Sequence, residues 1–279
     1  MALLARGGFL PVITPTLMGI GFILVSWFVD PLHGIGPGLG ILMLMIAAFF
    51  ANFWRDPDRP IPRDEGVIVS PADGHVMFVK RERATGRRPS KDELSNTVED
   101  EHTGTWFEKP CDEPLNFTTE QRWESVAEGE EKPTDVWRTA VFMSPLDVHV
   151  NRAPVAGKIT RMEHRTGKGK RRGPFLPAFR KESEYNERVR TLFQREDGLI
   201  VEVNQISGAL ARTIIPWSSE GDEMRRGQRF GMIRLGSRVD VRVPADKFQP
   251  CVISAEDKND KYPKGEFVKA GSTILYRGV

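Results

Sequence analysis

The chain has 279 residues, enough to bury a sizeable hydrophobic core in one or two parts. Its formal net charge is only +2, so no strong overall field favours nucleic acid as a partner. The two cysteines, Cys111 and Cys251, lack the spacing of a zinc site, and the five histidines are scattered along the chain. Composition therefore predicts a protein with reduced cysteines and without a metal site.

Two long uncharged segments open the chain. Residues 8–29 and residues 34–54 are each long enough to cross the hydrocarbon layer of a membrane as a helix, which takes about 20 residues. The short break at residues 30–33 predicts a membrane hairpin, with a shallow re-entrant hairpin and a buried core hairpin as alternatives. The flanking charges place both ends, and the domain that follows, on the cytoplasmic face of the cell membrane. These charges are Arg6, Arg55, Arg59 and Arg63.

Short strands and turns follow a proline-rich linker at residues 53–62. Residues 67–69 and 75–79 have the composition of strands, and the Ser-Pro-Ala-Asp-Gly sequence between them predicts a turn. A similar order of strand, proline turn, glycine and strand recurs around residues 153–159. Such strand–turn units predict a β sandwich or barrel like the carrier domains that hold biotin and lipoyl groups.

Two segments of opposite charge lie within the β region. An insertion at about residues 82–135 is dominated by an acidic stretch without periodicity, which predicts an exposed and partly disordered loop. Residues 161–181 are strongly basic and enclose an apolar stretch. Anionic lipid attracts such a segment, so we expect it to dock on the membrane, with an ordinary basic loop as the alternative. The expected docking residues are Lys168, Lys170, Arg171, Arg172, Phe175 and Phe179.

Most of the remaining chain also has strand composition. Short helices are predicted only at residues 183–190 and 205–210. The predicted fold class is therefore mainly β, with an α-helical membrane hairpin at the N-terminus, which divides the chain into residues 1–63 and residues 64–279. The further strands are expected at residues 139–143, 148–150, 191–193, 199–203, 211–215, 239–243, 251–253 and 274–276.

One Gly-Ser pair has the setting of a reactive peptide bond. Gly236 and Ser237 directly precede a segment in which Val239, Val241 and Val243 alternate as in a strand. Gly236 has no Cβ, so the Ser237 hydroxyl can approach its carbonyl closely. Attack would turn the amide into an ester, and β-elimination followed by hydrolysis would cut the chain and leave a pyruvoyl group, an electrophile that captures amines. An ordinary turn or strand end is the alternative.

Five segments of the chain carry distinctive motifs. They are Ser-Pro-Ala-Asp-Gly at residues 70–74, Met-Ser-Pro-Leu-Asp-Val-His-Val-Asn-Arg at 143–152, Ser-Glu-Tyr-Asn-Glu-Arg at 183–188, Arg-Phe-Gly at 229–231 and Leu-Gly-Ser at 235–237. In this order they resemble the phosphatidylserine decarboxylase family over about residues 55–279, apart from the insertion. The family commonly continues Leu-Gly-Ser with threonine, whereas this chain has Arg238, as in a short bacterial and archaeal-type branch.

The resemblance implies a proenzyme that cuts itself between Gly236 and Ser237, with Ser237 becoming the pyruvoyl cofactor. It implies decarboxylation of phosphatidylserine, drawn from an anionic membrane, to phosphatidylethanolamine and carbon dioxide. The chains formed, residues 1–236 and 237–279, would remain associated, and a homodimer stays open. The alternatives are an archaetidylserine decarboxylase and a non-catalytic, membrane-anchored β module resembling a carrier domain.

Self-cleavage and decarboxylation both require proton transfer, for which histidine is suited near pH 7. By the resemblance, the family's catalytic histidine falls on His149, and its aspartate falls on Asp73 as the acid that orients the histidine. Many members have a second histidine three residues later, where this chain has Arg152, and a guanidinium group does not act as a base. We therefore assign both proton transfers to His149, with His75 in reserve. From the residues alone, a half-exposed strand histidine is the favoured interpretation of His149, and only the resemblance makes it a catalytic candidate.

A second Gly-Ser pair, Gly271-Ser272, matches the Leu-Gly-Ser-Thr pattern more closely because a threonine follows it. Cleavage there would leave only residues 272–279, a peptide too short to hold itself in a fold. We therefore predict that this pair forms a turn before the last strand.

Overall fold

The computed structural model describes residues 4–84, 97–99, 106–108, 134–165, 176–180, 183, 186–209, 213–234, 236–253 and 265–279. The described helices are α1 (Phe9–Ser26) and α2 (Gly36–Phe53), joined through a 3-10 turn at Asp30–Leu32. The described strands are β1 (Val67–Val69), β2 (Gly74–Ala84), β3 (Thr97–Glu99), β4 (Trp106–Glu108), β5 (Thr134–Met143), β6 (Val150–Arg152), β7 (Gly157–Arg165), β8 (Arg188–Gln194), β9 (Ile200–Ile206), β10 (Ile214–Pro216), β11 (Glu223–Met224), β12 (Arg229–Ile233), β13 (Ser237–Pro244), β14 (Phe248–Pro250), β15 (Phe267–Val268) and β16 (Ile274–Gly278). The prediction of a mainly β protein with two N-terminal apolar helices is confirmed.

Two compact units make up the structure. One consists of Met1–Asp58 together with Pro145–His149, and the other of Arg59–Ser144 together with Val150–Val279. Both helices belong to the first unit, and the strands named above belong to the second. The sequence did not indicate that the short segment Pro145–His149 groups with the helices.

Helices α1 and α2 pack against each other as a hairpin through small residues. A Cβ added to Gly19 would lie 2.8 Å from the carbonyl oxygen of Gly40, and one added to Gly40 would lie 2.7 Å from that of Gly19. Glycines at such a contact let two apolar helices approach closely. Both helices are long and apolar enough to cross a membrane, and large side chains such as Leu17 and Leu24 are exposed.

Three antiparallel sheets build the second unit. The largest has ten strands, in the order β11-β7-β8-β9-β13-β5-β2-β4-β3, with β15 paired to β2. The two smaller sheets have the orders β1-β16-β14 and β10-β12-β6. Strand β13 is central in the largest sheet, because β5 pairs with its whole length on one side and β9 pairs with it on the other.

The apolar core draws side chains from all three sheets. Val141, Val203 and Val239 come from the largest sheet, Phe230 from β12 and Leu275 from β16, and all five are buried in one cluster. On β13, the alternation seen in the sequence puts its valines on this core face and its charged residues on the opposite face. The strand–turn units predicted a β sandwich or barrel like a carrier domain, and the structure bears out the mainly β class, with several sheets around a shared core.

The opposite face of β13 carries a buried network of charges. Asp240 accepts hydrogen bonds of 2.6–2.8 Å from Arg138 and Arg238, and Glu202 pairs with Arg242 at 2.8 Å. Burial alone would raise the pKa of Asp240, but the guanidinium groups of Arg238 and Arg138 hold that pKa well below its usual range. Removing one partner of a buried pair leaves a charge uncompensated, which costs about 3–5 kcal/mol. The network therefore favours a single alignment of β13 with its neighbours.

The two similar strand–turn units share a backbone feature. Each turn ends in a glycine with a positive φ, 147° at Gly74 and 156° at Gly157, and each glycine begins a strand. An added Cβ would lie 2.0 Å from the carbonyl oxygen of Phe142 in the first case and 2.2 Å from that of Gln194 in the second. Glycine is needed because the chain passes so close to the end of a neighbouring strand.

Four local predictions are wrong. The strand at residues 148–150 is wrong at its start because β6 begins only at Val150. The helix at residues 205–210 is wrong because β9 continues through Gln205 to Ile206, where both neighbouring strands pair with it. The helix at residues 183–190 is wrong at its end because β8 begins at Arg188. The strand at residues 251–253 is wrong because the chain is irregular there.

The acidic insertion predicted at about residues 82–135 lies largely outside the described residues. Its described parts are the end of β2, the strands β3 and β4, and the start of β5. Strand β4 pairs with both β3 and β2, so these short strands extend the edge of the largest sheet.

Candidate active site

The Gly236-Ser237 peptide bond lies where the chain enters β13. Ser237 is the first residue of that strand, pairs with Met143 of β5 and is fully buried. Gly236 has a φ of 65°, in the left-handed region that favours glycine. At the predicted cleavage site, Gly236 therefore has a backbone conformation that few other residues adopt, and Ser237 begins a strand that is paired on both sides.

The carbonyl group of Gly236 is packed directly against Gly208. Strands β9 and β13 pair in register as far as Ile206 and Arg238, so the chain beyond β9 runs beside Gly236. A Cβ added to Gly208 would lie 2.1 Å from the Gly236 oxygen and 3.2 Å from the Cβ of Ala178. Only glycine fits at position 208 without moving the carbonyl group that the serine hydroxyl would attack.

The side chain of Ser237 points to the core face of the sheet, where polar groups are few. Its Oγ lies 3.2 Å from the sulfur of Met143, and a thioether is a weak acceptor, so the hydroxyl is loosely held. Beside this sulfur lies Asn151, with its Nδ2 3.9 Å away. Gln205 donates a 2.7 Å hydrogen bond to the Oδ1 of Asn151. The Met143 sulfur thus lies between the Ser237 hydroxyl and a buried pair of amide side chains.

His149 lies at the end of the Pro145–His149 segment, in the unit that contains the helices. It is fully buried and directly precedes β6, so the alternative of a half-exposed strand histidine is wrong. Its Nδ1 lies 2.8 Å from the carbonyl oxygen of Asp147. Because a carbonyl group only accepts hydrogen bonds, we assign the proton to Nδ1 and the lone pair of the neutral ring to Nε2.

The environment of His149 keeps its ring neutral at physiological pH. Burial lowers the pKa of His149 to about 4, although the carbonyl group and the charge of Asp147 act in the opposite direction. The charge of Arg55 lowers this pKa further. At pH 7 the imidazole is therefore in the form that accepts a proton.

Asp73 is buried in the turn before β2. Its Oδ2 accepts a hydrogen bond from Arg59 at 2.6 Å, and its Oδ1 accepts one from the backbone N–H of Ala270 at 2.8 Å. These contacts join the Ser-Pro-Ala-Asp-Gly turn to the linker and to the turn before β16. The assignment of Asp73 as the acid that orients His149 stays a prediction.

The other residues considered for proton transfer or cleavage have structural contacts. His75 is exposed and its Nδ1 donates to the carbonyl oxygen of Gly265 at 2.9 Å. Arg152 is buried, and its guanidinium group donates to the carbonyl oxygen of Gly227 at 3.1 Å. Ser272 lies in a turn before β16, as predicted, and its Oγ donates to the carbonyl oxygen of Pro60 at 2.9 Å.

Of the predicted docking residues, Phe179 lies in the described part of the chain. It is half-buried, and its ring meets that of Phe142 edge-on with 6.1 Å between centroids. Its side chain is therefore partly used in packing the β unit. The other docking residues, Lys168, Lys170, Arg171, Arg172 and Phe175, lie outside the described residues.

Comparison with known proteins identifies the family. The profile of the family described as Phosphatidylserine decarboxylase matches residues 46–276, a span that includes Asp73, His149 and the Gly236-Ser237 bond. The chain belongs to the phosphatidylserine decarboxylase family. It is a decarboxylase.

Individual phosphatidylserine decarboxylase relatives cover most of the chain. A phosphatidylserine decarboxylase proenzyme of Erythrobacter litoralis is 37% identical over 240 residues, which are 86% of this chain and 75% of the relative. A protein of Methanopyrus kandleri, provisionally named an archaetidylserine decarboxylase proenzyme, is 36% identical over 240 residues, 86% of each chain. A phosphatidylserine decarboxylase proenzyme of Symbiobacterium thermophilum is 36% identical over 209 residues, 75% of this chain and 74% of the relative. All three names contain the word proenzyme, which supports a processed enzyme.

Sequence reasoning missed several groups around Ser237 of this phosphatidylserine decarboxylase family member. Met143 and Asn151 stood inside a recognised motif but had no predicted role. Gln205 and Gly208 were placed in a helix, so nothing in the sequence brought them near the predicted cleavage site. The signal that locates them is the register of β9 against β13, which only the folded chain shows.

We expect Gly208→Ala to slow self-cleavage strongly. The added methyl group would collide with the Gly236 carbonyl, and relief of such overpacking costs about 1–3 kcal/mol and moves the bond that must react. The rate of appearance of two chains on denaturing electrophoresis measures the effect. Gly34→Ala is the matched control, because a Cβ at Gly34 meets nothing within 4 Å. Parental cleavage in Gly208→Ala would show that this contact does not constrain the carbonyl group.

Proposed function

We propose that this chain is the proenzyme of a pyruvoyl-dependent phosphatidylserine decarboxylase that cuts itself between Gly236 and Ser237. The observation that carries the proposal is the setting of that bond. Gly236 has a left-handed φ and its carbonyl packs against Gly208, while Ser237 is fixed as the first residue of a strand paired on both sides. The bond is thus held in a defined geometry at the start of a rigid element, as an intramolecular attack requires.

Cleavage follows from the groups of this chain. The Ser237 hydroxyl gives up its proton and attacks the Gly236 carbonyl carbon, and collapse of the adduct breaks the C–N bond and leaves an ester. Removal of the Ser237 α-proton then breaks the bond between the side-chain oxygen and Cβ, which frees Gly236 as a carboxylate. Hydrolysis of the remaining dehydroalanine consumes water and releases ammonia. Each step needs a proton acceptor or donor.

His149 is the proposed proton carrier. The neutral ring, with its lone pair on Nε2, has the protonation state that a base needs at pH 7. In the chain, His149 is joined to Met143, the strand partner of Ser237, by the short segment 144–148. We assign the same ring to return a proton to the substrate carbon after carbon dioxide leaves.

The two products of cleavage would remain associated. Residues 237–279 contain β13, β14, β15 and β16. Strand β13 pairs with β5 and β9, β15 pairs with β2, and β16 pairs with β1. The partner strands β1, β2, β5 and β9 all belong to residues 1–236. The small chain is therefore interleaved with the large one through four separate ladders.

The residues around Ser237 fit a pyruvoyl group at the new N-terminus. The ketone of such a group supplies an electrophile that takes up an amine and accepts the electrons released on decarboxylation. Strands β5 and β9 would fix its position, because they pair with β13 on both sides. The amide pair of Asn151 and Gln205, next to the Met143 sulfur, supplies polar groups near that position.

The proposed substrate is phosphatidylserine, which two of the three relatives have in their names. The Methanopyrus relative supports a second candidate, archaetidylserine, which carries the same serine head group on an ether lipid. Both lipids have an amine next to the carboxyl group that leaves, so one site chemistry serves both. The difference lies in the lipid backbone and tails, which a competition assay distinguishes.

We place the helical hairpin in the membrane, with its ends and the β unit on the cytoplasmic side. The helices are long and apolar enough to cross. Positive residues flank the two open ends of the hairpin and not the turn between its helices. They are Arg6 before α1 and Arg55, Arg59 and Arg63 after α2. Labelling from outside the cell should reach a cysteine placed at His33 and not one placed at Arg63. Labelling at position 63 would refute this orientation.

The basic segment at residues 161–181 is the proposed second contact with anionic lipid. Close to a negatively charged surface, each basic residue contributes roughly 1 kcal/mol of attraction. The residues exchanged in the test are Lys168, Lys170, Arg171 and Arg172.

The lipid assay tests both proposals with one preparation. Full-length protein is mixed with vesicles of phosphatidylserine or of archaetidylserine, and release of carbon dioxide is measured. We expect turnover of phosphatidylserine, with cyanoborohydride linking the lipid to the small chain because the ketone takes up its amine. Replacing the four basic residues by serine should weaken vesicle binding and lower turnover, while self-cleavage stays intact. Release only from archaetidylserine would favour the second substrate, and parental behaviour of the four-fold variant would exclude this segment as the docking surface.

A further inference from the structure

The segment that carries His149 is held by the C-terminal end of helix α2. Pro145–His149 groups with Met1–Asp58 in one compact unit, although the two lie far apart in the chain. Phe53, the last residue of α2, is buried and only 2% exposed, whereas side chains earlier in the helix such as Leu42 and Met45 are exposed. The C-terminal end of α2 is therefore packed against protein, whereas earlier parts of the helix expose apolar side chains that are compatible with lipid.

Two hydrogen bonds join the helix end to the backbone of the segment. Asn52 Nδ2 and Arg55 Nη2 both donate to the carbonyl oxygen of Leu146, at 3.3 Å and 2.9 Å. Arg55 and Asn52 are also hydrogen-bonded to each other. One carbonyl group thus receives two donors that are themselves linked, which fixes the path of the chain three residues before His149.

An aromatic contact joins the helix end to the catalytic ring itself. The centroids of the Phe53 and His149 rings lie 4.4 Å apart, and the planes are inclined at 46°. Trp54 meets Phe53 edge-on at 5.7 Å, so the Phe53 ring is supported from another side. With Nδ1 bound to the carbonyl oxygen of Asp147, the imidazole is constrained both at one nitrogen and across its face.

We propose that the C-terminal end of α2 is a positioning element for His149, in which Phe53 fixes the plane of the imidazole and Asn52 and Arg55 fix the loop through the Leu146 carbonyl. This inference rests on the proposed role of His149 in self-cleavage. It gives the membrane hairpin a second purpose, because the helix that would anchor the protein in the lipid also holds the base. Misplacing a catalytic group by about 1 Å can cost roughly 100-fold in rate.

A purely structural role for Phe53 predicts a different outcome. If Phe53 served only to fill space, leucine would replace it at modest cost in stability and leave the chemistry unchanged. If it orients His149 and keeps water from the ring, leucine should slow self-cleavage and let the pKa of His149 rise from about 4 towards its ordinary value. The charged groups that act on the ring are Asp147 in its own segment and Arg55, two residues after the end of α2.

The test uses the full-length chain with Phe53→Leu, Phe53→Tyr and the control Phe49→Leu, an exposed ring in the same helix. Self-cleavage is followed by denaturing electrophoresis. In parallel, the pKa of His149 is measured by NMR titration in an uncleavable Ser237→Ala background. We expect Phe53→Leu to cleave about tenfold more slowly or worse, Phe53→Tyr to cleave faster than Phe53→Leu, and Phe49→Leu to match the parent. The His149 pKa should rise in Phe53→Leu.

The inference is overturned if Phe53→Leu cleaves like the parent, or if the leucine and tyrosine variants are equally slow while the pKa of His149 is unchanged. A parent chain that never cleaves would overturn the proposed function instead. In that case the titration alone decides whether Phe53 controls the histidine, since it needs no cleavage.

Discussion

The Ser237→Ala variant is expected to accumulate as one full-length chain. Alanine lacks the hydroxyl that is proposed to attack the Gly236 carbonyl, and cleavage by this route cannot begin without it. We expect no detectable self-cleavage in this variant. The attacking hydroxyl has to belong to the residue that follows Gly236, so no other side chain can replace it. Denaturing electrophoresis and intact mass measure the outcome, and the fold should persist because alanine fits the buried position of Ser237.

Ser272→Ala is the matched control for this variant. Ser272 also follows a glycine, but its hydroxyl donates to the carbonyl oxygen of Pro60, and the pair lies in a turn between strands. The Ser272→Ala variant should therefore cleave itself at the parental rate. Two chains persisting in Ser237→Ala, together with their loss in Ser272→Ala, would move the cleavage site to the second Gly-Ser pair.

The His149→Gln variant is expected to cleave roughly 10²–10⁴-fold more slowly than the parent, the usual contribution of a general base. Glutamine is polar and close in size, so it tests proton transfer more than packing. His75→Gln is the control, since His75 is exposed and its ring donates to the carbonyl oxygen of Gly265. If His149→Gln cleaves normally and His75→Gln does not, the base is His75.

The pH dependence of cleavage gives an independent check on His149. Its pKa is about 4 in the folded chain, so the basic form persists well below neutral pH, and the rate should fall only as the pH passes through about 4. An ordinary exposed histidine would instead produce the fall near its reference value of 6.5. A midpoint near 6.5 would contradict the assignment of the buried His149 ring as the base.

The same ring links stability to pH. Because the pKa of His149 is lower in the folded chain than in the unfolded one, the unfolded chain binds the proton more readily between pH 6.5 and about 4. The contribution of the neutral ring to the free energy of unfolding is therefore complete above pH 6.5 and is lost as the pH falls towards 4. Thermal unfolding of Ser237→Ala, with and without His149→Gln, measures this contribution.

Local sequence patterns were sufficient for much of the fold. The valine alternation after Ser237 predicted β13, and the apolar runs predicted α1 and α2, because periodicity and length are properties of a single segment. The two proline turns ending in Gly74 and Gly157 were also recognisable, since proline and glycine close together in sequence are typical of turns. Family motifs added His149 and Asp73 as candidates without showing what surrounds them.

The contacts that shape the site depend on long-range pairing. Gly208 meets Gly236 only because β9 lies beside β13, and the sequence around Gln205 was mistaken for a helix. Phe53 lies near the end of the predicted membrane segment, residues 34–54, yet its ring lies against His149. Neither contact has a local pattern, so neither could be inferred before the chain was folded.

The intact masses of the purified protein test the central claim most directly. We expect two chains that end at Gly236 and begin at former residue 237, with summed masses that exceed the precursor by one water minus one ammonia. The small chain should resist Edman sequencing, because its N-terminus is a ketone. A single uncleaved chain, or two chains whose summed masses exceed the precursor by a full water and whose small chain begins with serine, would contradict self-cleavage to a pyruvoyl enzyme.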